Sequence, residues 1–277
     1  RPIAQRVFVN HDAGGRAIYM APGATSETTA EHVRRHHAAF VRRARCVTTE
    51  VSQLPLEAVL EAQQLAREAG VPCIVDLDVP PSDALPGLGD EAMLQAVLRG
   101  ASWLKPAKAA AHELVGGRTD DALSLARAVR ALFGVEAVVL TDGEAGCAIA
   151  ATEFEGRVPA PTVKALDTTG AGDAFLGGLL AAQRFGLGWL DAGRLANACG
   201  AACVEQLGAF PEDAERARAR VSELFGPGLA LPPLASTPHA VGATAVGAPA
   251  LAVLEIASSE LAQLRERSRG EDYERAA

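Results

Sequence analysis

"LDTTGAGDAFLGGLL", residues 166–180, joins a polar, glycine-bearing loop to an apolar run at helical spacing. Gly170, Ala171 and Gly172 strip side chains from the junction, so backbone N–H groups and the positive end of the helix dipole stand open to an anion. Asp173 follows in the first helical turn. An acidic residue there can be a plain cap. A cap does not require the flanking glycines, however, and a carboxylate repels a resting phosphate unless a hydroxyl lies between them. The combination suits phosphoryl transfer, with Asp173 as general base for an attacking alcohol and Gly170 to Gly172 as the anion hole.

Around this junction the chain alternates helix and strand. Leu56, Val59, Leu60 and Leu65 recur at helical spacing from Pro55 to Gly70, and "VPCIVDLD" (71–78) reads as a buried strand. "EAMLQAVLRG" is helical, "ASWLKP" extended, "AAAHELVGG" and "DALSLARAVRALFG" helical, and "VEAVVLTDG" (135–143) a second apolar strand. This order predicts an α/β fold, a mainly parallel central sheet flanked by helices. Ligands of such sheets bind beyond the carboxyl ends of the strands, where "DLD" and "TDG" fall. "CAIAAT" and "FEGRVPA" are two short extended pieces, and helices are expected over 171–185, 191–207 and 211–224.

Composition narrows the partners. A hydrophobic content of 49% in 277 residues supports a large core. A net charge of -8 offers no basic footprint for nucleic acid. No apolar run reaches the roughly 20 residues that span a bilayer, so no membrane segment is expected. Five cysteines in apolar runs, none in a C-x-x-C pair, suit buried thiols in a reducing compartment, the cytoplasm. His32 and His36 lie one helical turn apart without accompanying carboxylates and read as a solvated helix face rather than a metal site.

Two nucleotide motifs are excluded. A dinucleotide fingerprint needs a third glycine where Phe175 stands, and no G-x-x-x-x-G-K-[ST] occurs. "DTTGAGDAF" instead resembles the C-terminal signature of the ribokinase-like (PfkB) carbohydrate kinases. "VVLTDGEAG" resembles that family's nucleotide-contacting Thr-x-Gly turn, "LANACGAACVEQLGA" its adenine-side helix, and "DAGGRAIYMAPGA" (12–24) its lid region. The resemblance covers about residues 7–225 and implies a ribokinase-like three-layer fold. It implies ATP with Mg2+ as phosphoryl donor, a small-molecule sugar as acceptor and a homodimer through the lid as one possible assembly.

The resemblance also assigns residues. Asp173 is the base; Thr141, Gly143, Asn197 and Gly208 face the nucleotide; Arg16 covers the substrate; Asp167 and Thr169 lie on a loop that holds a monovalent cation, K+, in many members. Local readings stand beside these. Asp167 can simply close an Asx-turn, Asn197 can face solvent, Arg16 can be a surface turn residue, and Asp76 and Asp78 read better as turn residues than as ligands.

Departures bear on activity. The family's Asn-x-x-Glu, which helps to organise magnesium and phosphate, is replaced by Ala107 and Ala110, which carry no side-chain oxygen, and Lys108 between them is cationic. The family's N-terminal strands, with much of the sugar pocket, have no counterpart before Arg1. The expectation is a kinase domain over 1–225 lacking those strands, a Pro/Gly/Ala-rich linker over 226–249, and an amphipathic helix over 250–277. "GAPALAVLEIASSELAQLRERSRGEDYERAA" (247–277) resembles, less specifically, the opening of SIS-domain sugar-phosphate isomerases. Alone, these 277 residues are expected to bind ATP weakly without phosphorylating a sugar. A non-catalytic nucleotide-binding or interaction module is the second reading.

Overall fold

The computed structural model describes residues 4–10, 15–21 and 23–228, the first two stretches as backbone only. The Arg16 side chain, residues 12–14 and 22 of the segment likened to a lid with the dimer expected through it, residues 229–249 of the linker and the tail helix expected over 250–277 lie outside the described residues. Strands β1 (Ala4–Asn10) and β2 (Gly15–Ala21) pair antiparallel, with Val9 opposite Arg16.

Helix α1 (Ala30–Val41) starts on Thr29, whose hydroxyl accepts from the His32 N–H. There follow β3 (Val47–Glu50), α2 (Leu56–Glu68), β4 (Cys73–Leu77), the single turn α3 (Pro81–Ala84), α4 (Glu91–Arg99) and β5 (Trp103–Pro106). Then come α5 (Lys108–Leu114), α6 (Ala122–Phe133), β6 (Ala137–Thr141), β7 (Cys147–Ala151) and β8 (Glu155–Val158). The last described helices are α7 (Ala171–Arg184), α8 (Trp189–Val204) and α9 (Ala214–Phe225). Side-chain caps from Asp90 and Asp121 start α4 and α6, and a left-handed Gly134 ends α6.

The sheet runs β3-β4-β5-β6-β7-β8, parallel from β3 to β6 and antiparallel through β7 and β8. Successive residues of a strand point to opposite faces, and both faces here are covered. Val138 and Leu140 join Val75, Leu77, Leu94, Leu125 and Val129 in one core layer. Val139, Ile149 and Val158 join Phe175, Leu179, Leu195 and Phe225 in the other. The result is the three-layer α/β arrangement expected. Strand β3 is an addition to the strands expected from the sequence, and its four residues alternate between half-buried and exposed.

All five cysteines are free thiols. Burial raises Cys147 to about 12 and Cys73 and Cys199 to about 11. These thiols are therefore protonated at neutral pH, and any stability they contribute is present below about pH 9 and lost as the pH rises through the raised values. Iodoacetamide at pH 8 is expected to leave all three unlabelled in the native protein and to label them in urea; rapid native labelling of Cys147 contradicts this packing.

Candidate active site

The start of α7 is built without a side-chain cap. Gly170 is the N-cap residue, in the left-handed region at φ 79°. A Cβ there would stand 2.4 Å from the Cβ of Ala209, so glycine is required by conformation and by close approach alike. Asp173 lies three residues past the N-cap position, exposed, and its carboxylate does not cap the helix. Its charge still sits favourably beside the N-terminal dipole. Gly178 lets α8 approach, since a Cβ there would meet the Cα of Ala196 at 2.9 Å.

The loop before α7 is knitted to the turn after α8. Leu166 N–H donates to the Val204 carbonyl at 2.7 Å. Asp167, nearly buried, accepts from the Thr169 N–H through Oδ1 and from the Gly208 N–H through Oδ2, both at 2.9 Å. The first bond is the Asx-turn; the second ties the loop to Gly208. Thr169 Oγ1 is buried without a hydrogen-bond partner. Thus Asp167, Thr169, Gly170 and Gly208 form one corner with Asp173 at its edge. Asn197 has an interior role not foreseen from its sequence position. It is buried, and its Nδ2 donates to the carbonyls of Val158 at 2.8 Å and Pro159 at 3.3 Å.

A charged cluster meets the same helix start from the sheet side. Lys105 at the end of β5 is wholly buried, and its Nζ donates to both oxygens of Asp76 at 2.8 Å and to Oδ1 of Asp78 at 2.9 Å. Parallel pairing of β4 with β5 sets Asp76 directly beside Lys105. Burial pulls the ammonium down, but Asp76 and then Asp78 more than offset it, leaving Lys105 above the ordinary lysine value. Burial raises Asp76 against the pull of Lys105 and with the push of Asp78. A Cβ on Gly172 would lie 2.9 Å from Asp78 Oδ2 and 3.5 Å from Lys105 Nζ. The second glycine of the motif therefore makes room for protein charge, which local sequence could not reveal.

On the adjoining strand ends, Thr141 closes β6 and bridges to Ala107, and Gly143 begins a short 3-10 turn over Gly143–Ala145. Lys108 Nζ donates to Asp142 Oδ2 at 2.9 Å between them. Ala110 is packed wholly inside the first core layer.

Residues 2–214, well over half of the chain, match the family model described as pfkB family carbohydrate kinase. The chain belongs to the pfkB family. Fructokinase-2 of Zea mays is 33% identical over 186 residues, 62% of this chain and 54% of that protein. Probable fructokinase-5 of Arabidopsis thaliana is 48% identical over 81 residues, 27% and 25% of the two chains. The chain thus spans from a quarter to about half the length of these relatives. Among solved structures, a putative ribokinase II from E. coli in its apo form gives a TM-score of 0.67 at 22% identity, over 79% of this chain and 70% of the other. Arabidopsis thaliana ribokinase, solved with ribose and ATP, gives 0.63 at 23% identity, over 79% and 69%. These two likenesses concern the fold, which is the ribokinase-like one.

Within the pfkB frame the alanines matter. Magnesium organised by side chains after β5 does not fit here, because Ala107 and Ala110 offer no oxygen and Asp142 is held by Lys108. Among the described residues no group of three metal-competent side chains occurs, and no helix is long and apolar enough to cross a membrane. A monovalent cation does fit the other corner, where buried Thr169 Oγ1 lacks a partner beside the Asp167 carboxylate.

Proposed function

We propose that this protein is an ATP-dependent sugar kinase whose phosphoryl-transfer centre is the start of α7. The observation that carries the reading is the uncapped helix start. Gly170 holds the N-cap position with no side chain over the first-turn N–H groups, and Asp173 stands exposed one step beyond them. The acceptor hydroxyl gives its proton to the Asp173 carboxylate as its oxygen attacks the γ-phosphorus in line. The bond to the β-phosphate oxygen breaks, and ADP leaves with the electron pair. The N–H of Gly172 is assigned to the charge that gathers on the transferred group, and the N–H of Ala171, which donates to the Thr168 carbonyl at 3.3 Å, turns to that charge when the phosphate arrives.

The nucleotide is assigned to the side of Thr141, Gly143 and Gly208. Leu207 and Phe210, flanking the Gly208–Ala209 turn, expose apolar surface, 86% for Phe210, of the kind a nucleobase covers. The ribose and ATP named for the Arabidopsis ribokinase, and the ATP and Mg2+ named for a complex of the E. coli putative ribokinase II, favour ATP as the donor. A coupled ADP-release assay on the full-length protein over pentoses and hexoses tests it; sugar-dependent release supports the reading, and none with any sugar contradicts it. One observation favours a non-catalytic nucleotide-binding module instead: the alanines at 107 and 110 with Lys108 turned onto Asp142. That alternative predicts ATP binding without turnover.

Asp167 and Thr169 are the proposed K+ ligands. An ion there would partner the orphaned hydroxyl, stiffen the loop behind Gly170 and favour negative charge beside it. Replacing K+ by tetramethylammonium at equal ionic strength is expected to lower kcat/KM or ATP affinity, and identical kinetics in the two salts removes the site.

A further inference from the structure

Lys105 is the largest wholly buried side chain among the described residues. Stability alone does not account for it, because a buried ammonium with its carboxylates is commonly no better for folding than apolar residues of the same volume. Its geometry does account for the place of Asp78. Lys105 gives two of its bonds to Asp76, which is itself buried, and one to Asp78, which keeps 37% of its side chain in solvent and lies with Oδ2 against Gly172, the residue before Asp173. A third carboxylate shares this edge from the end of β3. Glu50 keeps solvent contact, yet desolvation by surrounding atoms, then the charges of Asp78 and Asp173, raises its carboxyl. The ammonium is already engaged by two aspartates, so Glu50, Asp78 and Asp173 leave the edge with an excess of negative charge.

We propose that Asp78, positioned by Lys105, is a specificity-determining residue of the acceptor site: its part-exposed carboxylate accepts a hydrogen bond from a second hydroxyl of an uncharged polyhydroxylated acceptor, and with Glu50 it turns away sugar acids and sugar phosphates. This rests on the kinase reading above. A carboxylate bonds a hydroxyl strongly because the bond is charge-assisted. The same charge opposes a carboxylate or phosphate on the acceptor, a repulsive element that sharpens specificity. Lys105 acts through Asp78 and is a positioning residue; it touches no acceptor atom.

The test compares neutral acceptors with their acids, D-ribose with D-ribonate and D-glucose with D-gluconate, together with D-fructose and fructose 6-phosphate, using the full-length protein. Like-charge contacts are strongly unfavourable, so wild-type kcat/KM is expected to favour the neutral member of a used pair by about 100-fold or more. Asp78→Asn is expected to shrink that ratio by about tenfold, mainly through the acceptor KM, with the KM for ATP unmoved. Asp78→Glu restores the charge and is expected to recover discrimination in part; a purely structural Asp78 would alter melting without moving the ratio. Wild-type transfer to an acid as fast as to its neutral partner overturns the inference whether or not the variants fold. So does an active Asp78→Asn with an unchanged ratio, and both results leave the kinase reading standing. No transfer to any acceptor overturns the kinase reading and this inference with it.

Discussion

Asp173→Asn is expected to lower kcat by about 100-fold or more, the effect of losing a general base, while ATP affinity stays within about twofold. The substitution is nearly isosteric, and the helix does not depend on the side chain, since Gly170 occupies the N-cap position and no side-chain cap bond is made. Loss of a first-turn charge should cost only about 0.3–1 kcal/mol of helix stability. Steady-state kinetics, ATP calorimetry and thermal melting on the same preparation separate these effects. Loss of turnover with retained binding and melting assigns the proton to Asp173. Retained turnover removes it from the chemistry and leaves it a dipole-stabilising charge.

Lys105→Met carries the second large effect. It leaves Asp76 and Asp78 side by side without the ammonium that both now contact at 2.8–2.9 Å. Removing one partner from a buried ion cluster typically costs about 3–5 kcal/mol, because the remaining charge is stranded. Urea unfolding should show that loss. The double variant Lys105→Met with Asp76→Leu should recover a substantial part of it, since the members of one cluster are not additive. A single variant within about 0.5 kcal/mol of the wild type would be surface-like behaviour and would contradict the buried cluster.

The layers of this fold were legible because their signals are local. Strands β4, β5 and β6 are short apolar runs between amphipathic helices, and the structure follows that alternation closely. The loop-to-helix junction at 166–180 was legible for the same reason. What escaped depends on pairs far apart in the chain. Gly170 is needed against Ala209, and Gly172 lies against Asp78 and Lys105, contacts that no reading of neighbouring residues predicts. Asp76 and Asp78 read as turn residues because their cation arrives from the next strand of the sheet. Glu50 was missed with β3, whose four residues alternate too briefly to register as a strand. Asn197 read as a nucleotide or solvent contact, yet its amide serves the end of β8 inside the fold.

The proposed role of the helix start at Gly170–Asp173 is to move the γ-phosphate of ATP onto a sugar hydroxyl. Phosphorus NMR of the full-length protein with ATP and each of D-fructose, D-ribose and D-glucose follows that transfer atom by atom. With an accepted sugar the γ-phosphate signal is expected to fall while a phosphate monoester signal of equal size appears, and both changes are expected nearly to cease in Asp173→Asn. ATP left intact with all three sugars, or converted only to inorganic phosphate, would contradict it.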